Sequence, residues 1–222
     1  MVIKIWHRGA CWYAPENTLS SFQKALDLKV DMIELDIHVC KSWEIVVIHD
    51  ELVNNNSFIK DMSLIDIQDI EIWKWERIPL LTEVLDLVWT QVDINIELKW
   101  ENCVLWVVNI MSEYINNYWL SELQFYISSF RHRDLLEFHK LMPQIKISAL
   151  LWHLPLNNAA FAEWIPYYSL NLDKLFISKE FIKDSHIKWF KVFVYTVDDI
   201  ASINKMKDLW VDWIISNYPD RI

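Results

Sequence analysis

IELDIHVCKSWEIVVIHD, residues 33–50, decides how the chain is read. Glu34, Asp36 and His38 alternate along a strand and share one of its faces. A tight turn follows, then the apolar run of Ile45, Val46, Val47 and Ile48, then His49-Asp50. Two strands joined so closely must run antiparallel, because a parallel partner needs a long crossover. With the turn at Ser42-Trp43, Lys41 pairs with Glu44 and Asp36 falls opposite His49. That register sets an imidazole beside the carboxylates at the strand end. The turn itself is anomalous, since a central residue there needs φ > 0 and Trp43 pays a steric cost for it.

Outward from this hairpin the chain alternates. Strand patterns lie near 2–7, 32–37, 92–98, 124–129, 146–151, 174–178, 191–196 and 212–216. Helical patterns lie near 17–29, 80–88, 101–118, 132–141, 158–165, 179–187 and 198–208. Alternating β and α elements imply a parallel sheet with crossover helices. Eight units in 222 residues predict a compact (β/α)8 TIM barrel, one domain over residues 1–222. The strand at 44–49 is a ninth, an antiparallel hairpin extension beyond the barrel rim. Residues 51–79 then read as a small insertion over the mouth.

A hydrophobic content of 53% suits a full core, and the net charge of −10 with a pI near 5.1 argues against a nucleic-acid partner. An anionic substrate needs local cations. Cys11, Cys40 and Cys103 are odd in number and widely spaced, which fits reduced thiols better than disulfides or zinc. No secretory leader is recognisable and no apolar run reaches membrane-span length, so the expectation is a cytoplasmic protein without stable membrane insertion. Oligomeric state is not legible.

The chain has one glycine and fourteen tryptophans, together about the number that an average usage of ~7% predicts for glycine alone. Trp43, Trp89, Trp119, Trp189 and Trp210 stand where turns and helix ends call for glycine. Some genetic codes read UGA as glycine and others as tryptophan. The expectation is that most of these positions are glycine in the cellular protein, with Gly9 written in another codon and Trp152 the best candidate for a true tryptophan.

Chemistry in such a barrel gathers at the C-terminal ends of the strands. There the sequence puts His7-Arg8-Gly9, then Glu34, Asp36 and His38, then Glu97 and Lys99, with His49-Asp50 brought in by the hairpin. Three converging carboxylates raise their own pKa values or recruit a cation, and oxygen ligands favour Mg²⁺ or Ca²⁺. Two histidines supply an acid and a base near neutral pH, and Arg8 and Lys99 supply positive charge for a phosphate. Together these describe metal-assisted phosphodiester cleavage.

The segments HRG, APENTLSSFQKAL, IELDIHVCKSWEIVVIHD, ERIPLLTEVL, INIELK, VFVYTVDD and WVDWIISNYPD resemble the glycerophosphodiester phosphodiesterase family in order and spacing, over nearly the whole chain. The resemblance implies a barrel that hydrolyses small-molecule glycerophosphodiesters to glycerol 3-phosphate and an alcohol with a divalent ion. By position it implies Glu34, Asp36 and Glu97 as metal ligands, His7 and His49 as the acid–base pair, and Arg8 and Lys99 on the phosphate. Glu16 and Asn17, in PENT, would shape the site from the first loop. Where the family has glycine, this sequence has Trp43, Trp73, Trp75, Trp210 and Trp213, and Tyr195 replaces a common tryptophan. Two alternatives stand beside this reading: a lysophospholipase-D-like enzyme, favoured by an apolar groove beside the pocket, and an inactive barrel serving as a binding module.

Overall fold

The structure, a computed structural model, describes residues 2–53 and 57–222. In chain order it forms β1 (Ile3–Trp6), α1 (Leu19–Asp27), β2 (Met32–Val39) and β3 (Ile45–Val47). A run of short elements follows: β4 (Leu52–Val53), β5 (Ser57–Phe58), α2 (Leu64–Gln68), β6 (Glu71–Trp73) and β7 (Glu76–Arg77). Then come α3 (Leu81–Val88), β8 (Asp93–Leu98), α4 (Val104–Tyr118), β9 (Phe125–Ser129), α5 (His132–Leu141) and β10 (Lys146–Leu151). The chain finishes with β11 (Tyr167–Asp173), α6 (Lys179–Ile187), β12 (Lys191–Tyr195), α7 (Ile200–Asp208) and β13 (Trp213–Ser216).

Parallel pairings run β1-β13-β12-β11-β10-β9-β8-β2, and β2 pairs back with β1, so eight strands close into the expected barrel. Alternation sorts the side chains. Ile33, Leu35 and Ile37 of β2 and Ile94, Ile96 and Leu98 of β8 face the helices in the main core. Ile5, Met32, Tyr126, Phe193 and Trp213 fill the barrel's interior floor. Every residue of β2 is buried, so Glu34, Asp36 and His38 lie on the interior face that begins with Met32.

The hairpin forms, but one residue out of the expected register. Ile37, His38 and Val39 pair with Val47, Val46 and Ile45. The Ile48 N–H donates to the Asp36 carbonyl at 2.9 Å, so Ile48, not His49, lies opposite Asp36. The reason is the turn. Cys40 N–H donates to Glu44 O and Trp43 N–H to Cys40 O, both at 3.0 Å, which makes a three-residue loop with Trp43 at φ +80°. Val46 then packs with Cys40, Ile59, Ile67, Ile70 and Ile78 in a small separate core that seats the segment after the hairpin. Of the expected insertion at 51–79, residues 54–56 lie outside the described part of the chain.

A second correction concerns the sixth barrel strand. It is Tyr167–Asp173, not 174–178, and the helix expected at 158–165 is a 3-10 turn over Asn158–Ala162. The strand was obscured because its interior face is polar: Ser169 Oγ donates to Asn171 Oδ1 and meets Ser148 Oγ, both at 2.7 Å, in the buried barrel centre. The apolar run at 175–177 is instead a loop, with Leu175 78% exposed.

Six tryptophans take positive φ: Trp43 (+80°), Trp75 (+77°), Trp89 (+44°), Trp119 (+62°), Trp189 (+67°) and Trp210 (+66°). Two of them sit in complete Schellman motifs. After α6, Trp189 N–H donates to His186 O and Phe190 N–H to Ser185 O. After α7, Trp210 N–H donates to Lys207 O and Val211 N–H to Met206 O. Glycine is the usual residue at that position because it carries no Cβ.

Candidate active site

Strand ends build the site. His7 continues the inward face of Ile5 just past β1, and the chain turns sharply there, with Arg8 at φ +56° and Gly9 at φ +72°. A Cβ on Gly9 would lie 2.9 Å from Phe22 and closer still to Ser21 Oγ, so this turn has room only for glycine. α1 is held in place by a reciprocal cap between Thr18 and Ser21. That fixes the loop carrying Glu16 and Asn17.

The three expected carboxylates meet. One oxygen from each of Glu34, Asp36 and Glu97 lies within 4.8 Å of the others, and all three are largely buried. Arg8 binds two of them, its backbone N–H donating to Glu34 Oε2 at 3.0 Å and its Nε standing 3.2 Å from Asp36 Oδ2. Arg8 also donates to Glu16 Oε1 at 2.8 Å. Lys99 Nζ lies 3.0 Å from Glu97 Oε1 and 3.5 Å from Asp36 Oδ1. Asn17, at φ +56°, donates from Nδ2 to Asp36 Oδ2 at 3.0 Å.

Two cations therefore face three acids, and the imbalance appears in their protonation. Burial, then repulsion from Asp36 and Glu97, pushes Glu34 well above the usual carboxyl range. Burial and Asp36 push Glu97 up to about 7 despite Lys99. Burial would raise Asp36 too, but Lys99 and Arg8 outweigh it and hold Asp36 low. Such a cluster of buried oxygens, short of positive charge, fits a hard divalent cation.

The histidines differ in their partners. His7 Nδ1 is 2.7 Å from Asn217 Oδ1, and burial together with Arg8 keeps the ring below the ordinary imidazole pKa. His49 Nδ1 is 2.7 Å from Asp50 Oδ1, and its carbonyl accepts from His38 Nε2 at 3.1 Å. Although His49 lies beyond the paired part of the hairpin, it still lines a cavity of about 400 Å³ together with His38 and Lys99. An adjoining cavity of about 280 Å³ runs from Glu16, Asn17 and His49 along Val47, Leu52, Ile70 and Ile78. A larger cavity, about 1080 Å³, opens among Lys4, Lys191 and Asp212 at the strands' N-terminal ends, away from these residues.

Sequence reasoning passed over Asn217, Asp198 and the contact of His38 with His49. Asn217 stands directly after the last strand, where the strand-end rule already pointed.

The glycerophosphoryl diester phosphodiesterase family model matches residues 7–221. A glycerophosphodiester phosphodiesterase from Caldanaerobacter subterraneus subsp. tengcongensis is 33% identical over 239 residues, covering 98% of this chain and 95% of that one. Human lysophospholipase D GDPD1 is 34% identical over 131 residues, 51% of this chain and 41% of that one. In fold, the chain matches an Oleispira antarctica phosphodiesterase solved with the product sn-glycerol-3-phosphate, at a TM-score of 0.91, 23% identity, and coverage of 99% and 94%. With the match spanning all but the first six residues and the last, the chain belongs to the glycerophosphoryl diester phosphodiesterase family.

Proposed function

We propose that the protein hydrolyses glycerophosphodiesters to glycerol 3-phosphate and an alcohol, with a divalent cation held by Glu34, Asp36 and Glu97. The observation that carries this is the meeting of those three buried carboxylates within 4.8 Å, at the same barrel mouth as His7, His49, Arg8 and Lys99. A bound Mg²⁺ or Ca²⁺ would supply charge stabilisation at the phosphoryl oxygens.

The chain's own residues do the rest. The Arg8 guanidinium and the Lys99 ammonium orient the phosphate. One imidazole takes the proton of the glycerol 2-hydroxyl as that oxygen attacks phosphorus. The other gives a proton to the alcohol oxygen as its bond to phosphorus breaks. Water then opens the cyclic phosphate with the two roles exchanged, which restores both rings. Glu16 and Asn17 hold Arg8 and Asp36 from the first loop. The 51–79 insertion, part of the same single domain, forms one wall of the mouth through Leu52, Ile70 and Ile78.

That wall favours a second reading on the same chemistry. It is largely aliphatic beside His49, which suits a leaving alcohol that carries an acyl chain, as in lysophospholipids.

The test is release of glycerol 3-phosphate from glycerophosphocholine, followed with and without EDTA, alongside lysophosphatidylcholine. Loss in EDTA and recovery with Mg²⁺ or Ca²⁺ is expected. Full turnover in excess chelator removes the cation, and no turnover on either substrate, with Trp43 restored to glycine, removes the enzyme reading.

A further inference from the structure

Asn217 lies between a catalytic imidazole and a carboxylate, and that position fixes its orientation. Its Nδ2 donates to Asp198 Oδ2 at 2.9 Å, and its backbone N–H donates to Asp198 Oδ1 at 2.8 Å. Turned over, the amide would set its oxygen against the Asp198 carboxylate, acceptor against acceptor. Asn217 Oδ1 must therefore face His7. It also accepts from the Cys11 thiol at 3.0 Å, and burial pushes that thiol up to about 12, so Cys11 is only a donor there. An amide oxygen has two lone pairs, and His7 Nδ1 at 2.7 Å meets the second. Nδ1 must then carry a hydrogen. In the neutral ring the free lone pair is on Nε2.

We propose that Asn217, locked by Asp198, is a positioning residue that holds His7 in its Nδ1–H tautomer, and that His7 is consequently the base that deprotonates the attacking hydroxyl. This rests on the reading of His7 and His49 as the acid–base pair. The partner chemistry separates their roles. The Asp50 carboxylate, 2.7 Å from His49 Nδ1, is a stronger partner for a protonated ring than the neutral Asn217 amide is at His7. His49 is then the proton donor to the leaving alcohol.

Nitrogen-15 NMR of histidine-labelled protein reads the tautomer directly. Wild type is expected to show His7 protonated at Nδ1 and bare at Nε2. Asn217→Leu, which keeps the volume and loses the acceptor, is expected to release that preference and lower kcat about ten- to a hundredfold, with KM little changed. Asn217→Asp combined with Asp198→Asn, which keeps an acceptor on His7 and a donor–acceptor pair behind it, should retain the tautomer. A wild-type His7 protonated at Nε2 overturns the proposal even if the leucine variant fails to fold. A folded leucine variant with wild-type kcat and tautomer overturns it as well. His7→Ala separates the two levels: full activity there discards His7 as a catalytic residue, whereas its loss beside an unaffected Asn217→Leu discards only the role of Asn217.

The six left-handed tryptophans carry a second, independent inference. We infer that Trp43, Trp75, Trp89, Trp119, Trp189 and Trp210 are glycine in the protein that the cell makes, each encoded by UGA. A bulky residue at positive φ is a rare outlier, and here one residue type fills a hairpin turn and helix ends alike. Reading the gene's codons and the peptide masses of protein from its own cells decides it. UGA codons with glycine masses are expected. UGG codons, or tryptophan in those peptides, overturn it.

Discussion

Arg8 Nε lies 3.2 Å from Asp36 Oδ2, so the residue expected to grip a phosphate also offsets the charge of an expected metal ligand. Both partners are well shielded, with side-chain exposures of 17% and 1%. Arg8→Ala leaves Lys99 alone against three acids. The variant is expected to lose about 3–5 kcal/mol of stability without added cation, the usual cost of breaking a buried pair. Mg²⁺ or Ca²⁺ should recover part of that loss, and more of it than it adds to wild type. Thermal denaturation with and without each ion measures both quantities.

The His49 side chain, 32% exposed, sits at the cavity edge beside the exposed Asp50 and outside the hydrophobic cores. His49→Ala should therefore keep its Tm and lose about 10²-fold or more in kcat, the range of an acid–base group. Wild-type turnover in that variant removes His49 from the mechanism.

Trp119 follows α4 at φ +62° with 86% of its surface exposed, so it contributes little packing and bears the left-handed cost. That cost is roughly 1–2 kcal/mol, and the entropy of a glycine takes back about 0.5–1 kcal/mol. Trp119→Gly should stabilise the protein by a few tenths to about 1 kcal/mol in urea denaturation, with the m-value unchanged.

Asp212 anchors the floor of the barrel. Its carboxylate accepts from Lys191 Nζ at 2.9 Å, Val192 N–H at 2.9 Å and His186 Nε2 at 2.8 Å. Burial opposes its charge, but those donors prevail and hold it below the usual aspartate range. A depressed folded-state pKa means that the stabilisation is present above the unfolded value of about 3.9 and is lost as pH falls through the folded one. Asp212→Asn should cost about 1–3 kcal/mol at pH 7, and the gap to wild type should close on acidification below about pH 4.

The barrel and the carboxylate cluster were legible because they use simple local rules: alternation placed Glu34 with Asp36, and Glu97 with Lys99, on interior faces. Two things were less legible. The sixth strand carries Ser169 and Asn171 inward, so its polar face hid it from a search for apolar runs. The hairpin register depended on a loop of three residues where two were assumed, while the left-handed backbone expected at Trp43 is present at φ +80°. Asn217 and His7 are 210 positions apart, a pairing that only the closed sheet creates.

That last contact has a kinetic consequence. β1 and β13 zip together through Ile3–Trp6 and Trp213–Ser216, and His7 and Asn217 are the next pair along that seam. Joining the first strand to the last spans nearly the entire polymer, the slowest kind of contact to form from a disordered coil. Enzymatic turnover should thus be the final property regained on dilution from denaturant, lagging behind circular dichroism and burial of fluorophores, so that the appearance of product times the moment at which the ring becomes continuous.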